Sequence, residues 1–160
     1  MARFPAEIAV GTGKPGHYTR VDGHFALHGE PATAVAAEPL ERLDAEGISL
    51  WHSSGDLDAD SLAPAAVSAV YSTAAGSPLA VPTGQIFVQL DKGLSAGDHA
   101  ATFVGAGYEV AQLIVYAPHA AWLRAASGDA VDALRQVASL EALDPVSSIE
   151  PQMLMARALR

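Results

Sequence analysis

The sequence predicts an α+β fold, and three observations carry that prediction. Across residues 82–160, short runs rich in β-branched and aromatic residues are set off by glycine and proline. Between them, two segments instead space their apolar residues at helical period, behind Ser95 and Asp129, both good N-cap residues. Residues 1–81 are less regular, with hairpin signals and one short helical pattern. The chain therefore reads as a small N-terminal α+β segment, 1–81, followed by a C-terminal domain, 82–160.

Residues 85–90 form the first strand of that domain, bounded by Pro82-Thr83-Gly84 and by Asp91-Lys92-Gly93. Ser95 with Asp98 three residues on makes a capping-box pattern, Ala96, Ala100, Phe103 and Val104 follow at helical spacing, and Gly107 fits the stop. Residues 108–116, with Val110, Leu113, Ile114 and Val115, read as a second strand. The turn Ala117-Pro118-His119 returns it as a third strand over 120–125. Asp129 then caps a helix that places Val131, Leu134, Val137 and Ala138 on one face. It must end before Pro145, which pushes Asp144 out of the α region. Residues 146–150 are the last strand, closed by Pro151. The order β-α-β-β-α-β is that of a ferredoxin-like domain, an antiparallel sheet covered by two helices on one face, with the other face open.

In the first half, residues 18–21 and 24–27 flank Asp22-Gly23, a hairpin signal. Residues 33–37 read as a strand. Pro39 at a first helical position, with Leu40, Leu43 and a Gly47 stop, predicts a short helix. Residues 48–51 and 66–71 read as strands, 53–60 as a loop, and 74–82 as a boundary that can itself be a hairpin. Tyr18 precedes Gly23 by the spacing at which Tyr71 precedes Gly76, which raises a degenerate duplication as an alternative to chance.

Both ends of the second half carry a family resemblance. Pro82-Thr83-Gly84-Gln85-Ile86-Phe87-Val88-Gln89-Leu90-Asp91-Lys92-Gly93 resembles the opening strand of the prodomains of subtilisin-like serine proteases. Leu140 to Leu143, followed by Pro145-Val146-Ser147-Ser148-Ile149-Glu150-Pro151, resembles their close. The resemblance implies a protease inhibitor or folding chaperone. Such prodomains dock the open face of the sheet on two protease helices and lay the chain after the last strand along the substrate cleft, a strand-addition mode. Carried over, Gln152, Met153, Leu154, Met155, Ala156 and Arg157 become the protease-binding tail, with its apolar start suited to hydrophobic subsites. Glu109 and Glu150 become the acids that face the partner's helix N-termini. Here no protease domain follows Pro151, so the chain reads as a stand-alone inhibitor, a separately encoded prodomain or a fragment. The alternative is a ferredoxin-like interaction or assembly module with no protease connection.

The acidic composition suits a neutral or basic protein partner, or serves solubility alone. Half of the residues are apolar, enough for a real core. A net charge of −9 argues against nucleic acid and against anionic membranes as partners. There is no cysteine, no stretch approaching the ~20 apolar residues of a membrane span, and no visible signal peptide, which makes the cytoplasm the default expectation. Chemistry-bearing patterns fail on spacing. Gly11-Thr12-Gly13-Lys14-Pro15-Gly16 puts proline where a phosphate loop needs Ser or Thr. His24 and His28, four apart on a strand, do not make a zinc pair, and no serine sits in a nucleophile elbow. Asp56, Asp58 and Asp60 lack the glycine and glutamate of a calcium loop. No catalytic residue, metal or cofactor is expected.

Overall fold

A computed structural model describes residues 3–10, 16–30, 38–53, 62 and 66–155. Within them the protein is mostly antiparallel sheet with few helices. Strands β1 (Glu7–Val10), β2 (Gly16–His28), β3 (Glu41–Leu43), β4 (Ile48–His52) and β5 (Ala66–Ser72) lie in the first half. Strands β6 (Ala80–Leu90), β7 (Tyr108–Leu113), β8 (Ala120–Ala125) and β9 (Val146–Met155) lie in the second. All nine join one sheet in the order β3-β4-β2-β5-β6-β8-β7, with β1 added to β2 and β9 to β6. The helices are short: α1 (Ala100–Gly105), α2 (Ala130–Arg135) and α3 (Val137–Glu141). None is long and apolar enough to cross a membrane.

In the second half β9, β6, β8 and β7 pair in that order, each pair antiparallel. Alternation along β6 buries Ile86, Val88 and Leu90 on one face. These residues meet Phe103 of α1, Val131 and Leu134 of α2, Leu140 of α3, and Leu123 and Ile149 of the neighbouring strands in the largest apolar cluster. Asp129 caps α2 as expected, its carboxylate accepting from the Val131 amide at 2.8 Å. Gly107 follows α1 at φ +91°, the left-handed conformation its stop requires.

Several expected elements form differently. The helix behind Ser95 starts four residues late: the amides of Asp98, His99 and Ala100 bond three residues back in successive short turns, and the Ser95 side chain does not cap α1. Gly97, a weak helix former, sits inside that stretch. The second helix breaks at Gln136. There the Tyr108 hydroxyl donates to the Ala133 carbonyl at 2.6 Å, taking the acceptor that a continuous helix would offer to Val137. Strand β7 ends at Leu113, three residues early, because Ile114 to Ala117 closes a turn. Strand β9 runs past Pro151 to Met155.

The first half departs further. Residues 18–27 are not a hairpin but one long strand, and Gly23 at φ +70° sits where the pairing of β2 with β5 slips between Arg20 and Phe25. A positive-φ glycine serves a bulge as well as a tight turn, and the partners of residues 24–27 come from β4 and β5. The helix expected after Pro39 is instead β3, a single 3₁₀ turn (Asp44–Glu46) and the predicted Gly47 stop at φ +63°. Leu43 packs on the cluster of Ala26, Ile48, Leu50, Val70 and Val81, so pairing with β4 outweighs the weak helical pattern. The boundary at 74–82 does contain a hairpin, with Tyr71 opposite Ala80. Of the echoed glycines, Gly23 lies in the bulge and Gly76 in that turn. The expected strand at 33–37 lies outside the described residues.

Phe103 is fully buried beneath α1, so Phe103→Ala is expected to cost about 3–5 kcal/mol. Tyr108→Phe, which removes one buried hydrogen bond, is expected to cost about 1–2 kcal/mol. Urea unfolding of both variants checks the order and the size of the two losses.

Candidate functional site

The face of β6 turned away from the helices carries Gln85, Phe87 and Gln89. Register continues each across the sheet. Glu150 of β9, Phe87, Trp122 of β8 and Gln112 of β7 stand opposite one another in one row over four strands. The Phe87 and Trp122 rings lie 5.1 Å apart between centroids, tilted by 58°. Both are half-buried, whereas their strand neighbours Ile86, Val88 and Leu123 are fully buried on the other face. In the adjacent row Glu109 accepts from the Arg124 guanidinium at 2.6 Å. The pair is about half exposed, so it is worth at most about 1 kcal/mol and serves mainly to neutralise both charges.

The two acids predicted to face a partner therefore differ. Glu109 is paired within the chain. Glu150 is exposed and belongs to none of the three ion pairs among the described residues. Beside it, Tyr18, Phe87, Trp122, Pro151, Gln152 and Met153 enclose a hollow of about 430 Å³ with Glu150 on its wall.

The expected tail is part of the sheet as far as it is described. Met153, Leu154 and Met155 pair with Pro82, Val81 and Ala80. The Thr83 hydroxyl donates to the Gln152 side-chain carbonyl at 2.7 Å, and the Tyr18 hydroxyl reaches the Met155 sulfur at 3.6 Å. Met153 packs against the largest cluster and Leu154 against the one around Val81. Ala156 and Arg157 lie outside the described residues, as do residues 11–15 of the glycine-rich segment and Asp56, Asp58 and Asp60.

A second hollow of about 490 Å³ lies near the start of α2, lined in part by Arg3, His28, Ser68, Gln85 and Asp129. Forty residues apart in sequence, His28 and Ser68 come together on adjacent strands, with Nε2 and Oγ 2.8 Å apart. Burial lowers the His28 pKa below its ordinary value of 6.5, which favours the neutral ring. His24 has a separate environment, edge-on to the His52 ring at 5.1 Å. Among the described residues no three His, Asp or Glu side chains gather as metal donors. Burial also raises the Tyr71 hydroxyl to about 12 against the opposing pull of Arg20, and the group donates to the Pro5 carbonyl at 2.9 Å.

The sequence reading missed Phe87 and Trp122, although a signal was present. Each sits between residues of a strand whose alternate positions are strongly apolar, so one large aromatic on each strand had to face outward. Nothing local could have joined Tyr18 to them, or His28 to Ser68. No protein-family model, no curated protein and no solved structure matches the chain.

The unfolded chain takes up the His28 proton first as pH falls below 6.5. The stability held by the buried neutral ring is therefore complete above that pH and is lost as pH falls toward the lower folded value. His28→Gln is expected to flatten this part of the stability profile, measured by urea unfolding on either side of pH 6.5. An unchanged slope would place its origin elsewhere.

Proposed function

We propose that the protein acts by binding another protein through the open face of β9-β6-β8-β7, as a ferredoxin-like, prodomain-like inhibitor or folding chaperone of a subtilisin-like serine protease. The observation that carries the docking is the in-register row Glu150, Phe87, Trp122 and Gln112 on the face away from the helices. Two half-buried aromatics on an otherwise polar sheet face are the kind of anchor that dominates protein interfaces. The ferredoxin-like reading draws support from the antiparallel order β9-β6-β8-β7 with α1 following β6 and α2 and α3 following β8. The protease as partner rests on the two end motifs.

The part assigned to the tail is narrower than the resemblance implies. Met153 to Met155 are held against Ala80 to Pro82 and Gln152 against Thr83, so the extended segment that enters a protease cleft would begin beyond Met155. This pairing also favours the second reading, an interaction or assembly module of the same fold that uses the sheet face alone.

Inhibition of a subtilisin-like protease at micromolar concentration is the test. Trp122→Ser is expected to weaken it roughly tenfold or more. Val104→Ser, on exposed α1 surface, should leave it unchanged. Deleting residues 156–160 alone removes the tail without unpairing β9, and should abolish inhibition if the tail enters the cleft. If the intact chain slows no such protease, the assembly reading replaces the protease one.

A further inference from the structure

The hollow beside Glu150 has aromatic walls and an acidic one. Tyr18, Phe87 and Trp122 line it with aromatic rings, whose faces carry partial negative charge. Glu150 adds a full negative charge, exposed and in no ion pair among the described residues. Arg124, on the next row of the same face, is held by Glu109 at 2.6 Å. An apolar occupant would desolvate the carboxylate with nothing to pair it, and an anion would meet both Glu150 and a chain of net charge −9.

We propose that this hollow receives the guanidinium of an arginine side chain on the partner protein. The inference rests on the open face being a docking surface. A guanidinium is planar, so it can stack on Phe87 or Trp122 while its N–H fork donates to the Glu150 carboxylate. An ammonium supplies the charge but no plane. The volume of about 430 Å³ lies within the range of small-ligand clefts and leaves room for the methylene stem beside Met153. The wider charge balance agrees: with 18 acidic residues against 9 Lys and Arg, the chain steers toward basic protein surfaces. Glu150 thereby acquires a partner chemistry different from a helix N-terminus, a full side-chain cation in a partly aromatic site.

The probe is N-acetyl-arginine methylamide, titrated against the full chain while the Trp122 indole N–H is followed by NMR. The citrulline analogue, of the same shape but neutral, is the control. Trp122→Phe assigns the signal, and the buried Trp51 indole reports that the fold is intact. A saturable shift of Trp122 is expected with the arginine probe in the millimolar range, weaker by roughly fivefold or more for citrulline and for the Glu150→Gln variant. No saturable shift, equal shifts from citrulline, or an unaltered Glu150→Gln titration would overturn the assignment. The two proposals fail separately. Arginine binding without protease inhibition keeps the hollow and removes the protease, and inhibition without arginine binding does the reverse.

Discussion

Strand β6 is shared by both halves of the sheet, and the register it keeps with β9 holds the rest in place. At its start Ala80 pairs with Tyr71 of β5 and with Met155 of β9. Five residues later β6 has left β5 and pairs with β8, while β9 still runs along its other side. The change of partner happens across a bulge between Pro82 and Ile86, where Gly84 sits at φ +84°. A Cβ there would come within 3.2 to 3.3 Å of Ala130 in α2, so the bulge and the helix seat fit only with glycine at this position. Proline is tolerated beside it because such an irregularity spares a ladder amide.

From that register follows the separation of the two faces. A slip of one residue would turn Ile86, Val88 and Leu90 outward and drive Phe87 and Gln89 into the helices. With the register held by β9 on one side and β8 on the other, the helix face is filled by Phe103, Leu134 and Leu140. The opposite face keeps a polar surface broken by two aromatics. The proposed docking depends on this division: the side chains offered to a partner are those the core excluded.

The candidate site was legible in parts. Glu150 was marked only through the family resemblance, and in the structure it is exposed within β9. Glu109 looked equivalent in the sequence, yet Arg124 neutralises it through a cross-strand pairing that joins residues fifteen apart. The tail residues looked free because Pro151 resembles a strand end. Proline ends a strand only where its missing amide would have been needed, and β9 continues to Met155. Tyr18 enters the hollow from the other half of the chain, so no reading of the second half by itself could supply it.

By itself the sequence determined the α+β class, strands β4, β5 and β8, the later part of β6 from Gln85, the beginning of β9, the Asp129 cap, and the stops at Gly47 and Gly107. Each depends on local alternation, a capping oxygen or a glycine's access to positive φ, and these act within a few residues. Tertiary structure decided whatever had two local solutions of similar cost. Asp22-Gly23 could close a hairpin or bend one long strand, and the partners offered by β4 and β5 chose the strand. Residues 130–141 could form one helix, but the Tyr108 hydroxyl took the Ala133 carbonyl and split it. Which acid stays free, and which aromatics meet at the hollow, were likewise settled by strand neighbours far apart in the chain.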